Sequence, residues 1–118
     1  LNIYDNLYTG DIVETLNSNQ ENFDLFVALD VLIYVGDVES IFRAVHKHSN
    51  HESMFVFSTE IQEESGYSLL QSSRYSHSDS YIMNQANGKF KLVKSENIVL
   101  RKEGDNLIHG KVYIFISI

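Results

Sequence analysis

The sequence predicts an α/β chain built on a mixed sheet, parallel at the front and antiparallel at the end, and three observations carry that reading. Phe23-Asp24-Leu25-Phe26-Val27-Ala28-Leu29 and Met54-Phe55-Val56-Phe57 are compact, nearly continuous apolar runs of strand length, the pattern of strands covered on both faces. Between them, Val38, Ile41, Phe42 and Val45 recur at spacings of three, one and three, which lays a single apolar stripe along a helix. Residues 90–101 and 107–118 are strand-like and flank Lys102-Glu103-Gly104-Asp105-Asn106, whose glycine and Asx residues supply turn conformations, so the tail forms an antiparallel hairpin.

Taken in order, residues 6–9 before Gly10 read as a short strand, and Ile12, Val13 and Leu16 as a following helical turn or two. Residues 23–29 are the central parallel strand. Asp37 is placed to cap the helix that carries Val38 and Val45. The polar stretch His48-Ser49-Asn50-His51-Glu52 leads into the strand at residues 54–57, and strand, helix, strand is a parallel crossover unit. From Glu60 to His77, 18 residues are polar and aromatic without clear period; a connection of that length is usually functional, and it is a candidate lid. Ser78 as N-cap and Asp79 in the first turn favour a short helix through Tyr81, Ile82 and Met83, ending near Asn87-Gly88.

With 118 residues, 43% of them hydrophobic, the chain has enough apolar surface for one core, and residues 1–118 are read as a single domain. Nine Lys and Arg against sixteen Asp and Glu give a formal charge of -7, which repels phosphate backbones and argues against a nucleic-acid surface. The absence of Cys removes disulfides, thiolate nucleophiles and Cys-based zinc sites, and fits a cytoplasmic location. The longest apolar stretch, residues 25–35, is interrupted by Asp30 and falls short of the roughly 20 residues that cross a bilayer. The sequence opens on Leu1 and lacks the succession of a signal peptide, so its start reads as cut, although a processed precursor also begins without Met.

Other reactive groupings fall away on spacing. Ser72, Ser73, Ser76, His77, Ser78 and Asp79 crowd together, but no Gly-x-Ser-x-Gly elbow accompanies them. His46, His48 and His51 lack His-Glu-x-x-His spacing, and positions 46 and 48 point to different faces of a helix, so no metal site is expected. Glu60, Glu63 and Glu64 match a glycosidase pair only by count.

Tyr4-Asp5-Asn6-Leu7-Tyr8-Thr9-Gly10-Asp11, then Phe23-Asp24-Leu25-Phe26-Val27-Ala28-Leu29-Asp30-Val31-Leu32, then residues 54–60 and the terminal hairpin, resemble the succession of class I S-adenosylmethionine-dependent methyltransferases. Gly66-Tyr67-Ser68-Leu69-Leu70-Gln71-Ser72-Ser73-Arg74-Tyr75-Ser76-His77-Ser78, with Val99-Leu100-Arg101-Lys102-Glu103, is similar to a bacterial subgroup often fused behind tetratricopeptide repeats. The resemblance implies a partial Rossmann-like mixed sheet with a C-terminal antiparallel hairpin, lacking the first two strands. It also implies a tetratricopeptide-repeat segment in the parent protein.

In that family Asp11 would follow the third strand, its carboxylate accepting from the adenine amino group while the Ile12 N–H faces a ring nitrogen. Asp11 read alone, before Ile-Val-Glu, is rather a helix N-cap, and it is the family order that favours the adenine contact. Asp30 would stand at the carboxyl end of the fourth strand, the edge where open α/β sheets bind ligands, and would orient or deprotonate the methyl acceptor. Val31, with Leu29 and Leu32, would wall the methionine end of the cofactor; the plain alternative is that Asp30 caps the turn into residues 31–35. Tyr34, Glu60, Tyr67, Arg74, Tyr75 and His77 are substrate-pocket candidates, each of which singly also reads as a solvated loop residue.

The family's Gly-x-Gly-x-Gly turn and its second-strand acidic residue are missing here. The six glycines, Gly10, Gly36, Gly66, Gly88, Gly104 and Gly110, are too dispersed to cradle a nucleotide. Weak or absent S-adenosylmethionine binding by this chain is therefore expected, with methyl transfer to an unidentified acceptor the activity of the parent. The alternative is a non-catalytic methyltransferase-like fragment that acts through protein association. Loss of two strands would expose an apolar edge at residues 23–29, and such an edge recruits a second copy of the chain. Residues 6–9 would then pair directly with that strand, leave the sheet, or join another copy.

Overall fold

The computed structural model describes residues 9–18 and 21–118, with the side chains of residues 9–12 excepted. The described elements run α1 (Thr9–Ser18), β1 (Phe23–Ala28), a 3-10 turn (Leu32–Tyr34), α2 (Glu39–Lys47), β2 (Ser49–Ile61), β3 (Tyr67–Leu69), β4 (Tyr75–His77), α3 (Asp79–Ala86), β5 (Phe90–Glu103) and β6 (Asn106–Ser117). The expected strand at residues 6–9 lies outside the described residues except for Thr9, which begins α1.

The sheet is mixed, as its apolar runs and terminal hairpin imply. β1 pairs parallel to β2 with Leu25 opposite Met54 and Ala28 opposite Phe57. β6 runs antiparallel along the other edge of β2, Met54 opposite Ile116 and Glu60 opposite Gly110, and β5 pairs antiparallel to β6. β4 joins β2 parallel at Glu60 and Ile61. Because β6 already occupies one edge of β2, β1 and β4 must follow one another along the opposite edge. No strand pairs with the outer edge of β1 among the described residues.

Helix α2 forms because its buried residues Ile41, Phe42, Ala44 and Val45 share one stripe. Asp37 does cap its start, one residue outside the expected position: its carboxylate accepts the Glu39 N–H at 3.0 Å while Val38 occupies the N-cap. The Phe42 ring is the hub of the core, meeting Phe55 and Phe57 edge-on at 5.4 Å and Phe90 at 6.0 Å. In α3, Ser78 accepts from the Tyr81 N–H at 3.1 Å, and the helix ends before Asn87-Gly88 as expected.

Two expectations need correction. The segment from Glu60 to His77 is no free lid: it contains the end of β2 and a small antiparallel pair, β3 with β4, in which Tyr67 faces His77 and Leu69 faces Tyr75. Alternation over three residues is too short to show as a period in the sequence. The polar stretch after α2 is likewise strand from Ser49 onward, with an irregularity opposite residues 23–25. Ser53 stabilises that irregularity by donating to the Phe23 carbonyl at 2.8 Å and accepting from the Asn50 N–H at 2.7 Å.

β1 also differs from a strand covered on both faces. Phe26 and Ala28 pack on the core, but Leu25 is 58% and Leu29, past the strand end, 52% exposed. The register extends this division across the sheet. Phe55, Phe57, Tyr113 and Phe115 face the helices and are buried, while Val27, Met54, Val56, Val112, Ile114 and Ile116 form a second apolar face that is only partly covered. No helix among the described residues is long and apolar enough to cross a membrane.

Candidate functional site

The carboxyl ends of β1, β2 and β4 lie together, the edge at which open α/β sheets take ligands. Asp30 directly follows β1 and adopts a left-handed backbone, φ 57°, which Asp tolerates better than most residues. Its N–H donates to the buried Ser58 hydroxyl at 2.9 Å, so β2 fixes the conformation while the carboxylate stays exposed. Val31 is half-buried at the head of the 3-10 turn, and Tyr34 at the end of that turn is 65% exposed. Leu32 is not a pocket wall: it is fully buried in the core with Phe42 and Phe57. Asp11 and Ile12 lie in α1, and their side chains fall outside the described residues.

The other sequence candidates separate onto the two faces of the sheet. Tyr67, Tyr75 and His77 share the helix-side face, since His77 pairs with Ile61 and Tyr67 with His77. Tyr67 and Tyr75 meet edge-on at 6.1 Å, and His77 stacks on Tyr81 at 6.0 Å. Gly36 lies directly against these rings: a Cβ there would come within 2.5 Å of Tyr67 and 2.7 Å of Tyr75, so only glycine lets the loop before α2 approach. His77 is buried, 1% exposed, with Nε2 3.0 Å from the Gly36 carbonyl and Nδ1 without a partner. Burial lowers its pKa, against the smaller raising effect of the Gly36 and Val35 carbonyls, so the ring is held neutral. The Tyr81 hydroxyl accepts from the Val38 N–H at 3.0 Å and donates to Asp37 at 3.3 Å; burial pushes its pKa up to about 12.

Glu60 and Arg74 belong to the opposite face. Glu60 ends β2, 8% exposed, and burial raises its carboxyl pKa while Arg101 first and then Arg74 pull it down. Arg74 binds both oxygens of Glu103, one at 2.7 Å, and Arg101 stands 3.6 Å from Glu60. The reading of these residues as solvated loop positions is thus corrected for Glu60, Arg74 and His77. Arg101, Glu103 and Tyr81 complete these clusters and were not singled out as site residues. Their partners lie tens of residues away, and only the pairing of β5, β6 and β2 brings the arginine and glutamate to Glu60.

No glycine-rich nucleotide cradle occurs among the described residues. Gly36 and Gly110 are filled by neighbouring side chains, and Gly66, Gly88 and Gly104 sit in separate turns. No group of three or more His, Cys, Asp or Glu able to hold a metal occurs among the described residues. His46 and His48 instead contact backbone carbonyls, of Ile118 at 3.2 Å and Glu21 at 3.1 Å.

No protein-family model and no curated protein matches the sequence. Solved structures do. A SAM-dependent methyltransferase from Methanosarcina mazei superposes with a TM-score of 0.67 at 15% identity, covering 87% of this chain and 64% of that one. The N-methyltransferase NodS from Bradyrhizobium japonicum, in complex with S-adenosyl-L-homocysteine, gives 0.63 at 16% identity over 90% of this chain and 50% of its own. TehB from Haemophilus influenzae gives 0.61 at 17% identity, over 89% and 38%. The chain therefore spans between about two-fifths and two-thirds of these structures. Its mixed sheet with a terminal antiparallel hairpin is a partial class I S-adenosylmethionine-dependent methyltransferase fold.

Proposed function

We propose that this chain is the acceptor-side portion of an S-adenosylmethionine-dependent methyltransferase. The observation that carries the reading is the placement of Asp30 beside Ser58 at the carboxyl end of the parallel strands, in a fold shared with methyltransferases. Methyl transfer needs a nucleophile held in line with the sulfonium methyl, so positioning supplies much of the rate and a base is needed only for some acceptors. Asp30, held by Ser58 in a left-handed backbone, is fixed for that orienting role. Binding of the cofactor by this chain alone is weak, because the glycine-rich cradle is not among its residues.

Titration of the 118-residue chain with S-adenosylhomocysteine, read by backbone amide shifts, tests this. The expected result is weak, saturable change confined to Asp30, Val31 and their neighbours, lost in Asp30→Ala. Shifts absent from residues 30–34, or unchanged by the substitution, would remove the methyltransferase reading. Loss of binding in Asp11→Ala would assign the adenine contact.

One observation favours a second reading, association without catalysis: the partly covered apolar face continues to an outer edge of β1 that is unpaired among the described residues. A second copy of the chain is the occupant this reading names. Sedimentation showing a dimer, together with no response to S-adenosylhomocysteine, would favour it over methyl transfer.

A further inference from the structure

Glu60, Arg74, Arg101 and Glu103 form a four-charge cluster drawn from three separate stretches of chain. A bulge in β5 puts Arg101 there. Ile98 pairs with Gly110 and Val99 with His109, but Arg101 rather than Leu100 pairs with Ile108. Without the extra residue Arg101 would turn to the other face; the bulge keeps Leu100 over Gly110 and aims Arg101 at Glu60 as well. Gly110 admits the bulge, since a Cβ there would lie 2.4 Å from Leu100 Cγ and 2.5 Å from the Thr59 carbonyl oxygen. Glu103, two residues beyond Arg101 and paired with Asn106, falls on the same face.

The cluster has more donors than acceptors. Nη1 and Nη2 of Arg101 and Nε of Arg74 are buried with no hydrogen-bond partner. Glu60 stands 3.6 Å from Arg101, beyond hydrogen-bond distance, and Glu103 is already engaged by Arg74. Buried guanidinium N–H groups without acceptors are costly, and an incoming oxygen acceptor relieves that cost.

We propose that this cluster receives a carboxylate of the methyl acceptor, with Arg101 as its principal partner and Arg74 beside it; the assignment rests on the methyltransferase reading above. The planar fork of arginine matches a planar carboxylate, offering parallel N–H donors to its two oxygens, whereas Glu103 takes both of its contacts from the single Nη2 of Arg74 and leaves Nε free. The charge balance points the same way. Two cations and two anions leave room for one added negative charge if Glu60 takes up a proton as it yields Arg101, whereas doubly charged phosphate leaves an excess. Glu103, 39% exposed against 10% for Glu60, forms the open side of the cluster.

The test titrates the arginine-labelled chain with acetate at constant ionic strength and reads the guanidinium resonances. Those of Arg101 and Arg74 are expected to saturate, while Arg43, exposed and paired with Glu39, drifts without saturating. Arg101→Gln should weaken acetate by about tenfold or more, and Glu60→Gln should tighten it by about threefold, because the competing carboxylate is gone. A purely structural role for the cluster predicts no tightening. Unsaturable shifts at Arg101, weaker binding in Glu60→Gln, or inorganic phosphate binding more tightly than acetate would each overturn the proposal. S-adenosylhomocysteine added to the same sample separates the two levels: acetate saturation without a cofactor response at residues 30–34 keeps a carboxylate site and removes its role in methyl transfer.

Discussion

The two faces of the central sheet carry similar side chains and have different surroundings. On the helix side, Phe55, Phe57, Tyr113 and Phe115 lie between 0% and 1% exposed around Phe42. On the other, Met54, Val56, Ile114 and Ile116, each one residue away from a buried neighbour, remain partly open, and Leu25 is exposed. Strand residues alternate between faces, so a nearly continuous apolar run encodes two covered surfaces, and these described helices cover one of them. The far face closes only at its carboxyl end, where Leu100 packs over Gly110 and Glu60 is buried.

The largest expected effect lies at the hub of the covered face. Phe42→Ala removes a fully buried ring that contacts four other rings, and should cost about 3–5 kcal/mol in urea unfolding. A loss under about 1 kcal/mol would mean that this face is no better packed than the open one. Gly110→Ala comes next, at about 1–3 kcal/mol by overpacking, because one of the two obstructing groups is backbone and cannot give way. That substitution marks where the open face stops being open.

The pH dependence of stability probes the same contrast with the opposite sign on each face. His77, helix-side, has a lowered folded pKa; its contribution is present above the ordinary value of 6.5 and is lost as pH falls through the folded value. Glu60, on the far face, has a raised pKa, so its contribution is present below 4.5 and is lost as pH rises through the folded value. Urea midpoints followed downward from neutral pH should therefore fall below pH 6.5 in the parent chain, and fall less in His77→Gln. An identical slope in both would show that the buried imidazole does not carry the acid response.

The architecture was legible where one pattern had one cause. Val38, Ile41, Phe42 and Val45 can share a stripe only on a helix, and Ser78 with Asp79 marks a helix start that the Tyr81 N–H confirms. The place of Asp30 just after a parallel strand was legible, because the end of an apolar run is a fixed place in an α/β sheet; its role is the proposal made above. Exposure of Leu25 was not, because a run of hydrophobic residues states what should be covered, not what covers it. Neither was the Arg101 cluster: a one-residue bulge moves a side chain to the opposite face, and Val99-Leu100-Arg101 carries no local sign of it.

The smallest expected effect is the sharpest test of the comparison. Leu25, 58% exposed at an edge that no described strand pairs, should tolerate Leu25→Thr within about 0.5 kcal/mol, since threonine brings the β-branched shape that strands favour and little burial is lost. A cost above about 2 kcal/mol would mean that Leu25 is covered in solution. Repeating the measurement at two protein concentrations then identifies the cover. A concentration-dependent midpoint, shifted by the substitution, would place a second copy on this face, since association stabilises the folded state by mass action. A concentration-independent cost would instead place the cover within the chain itself.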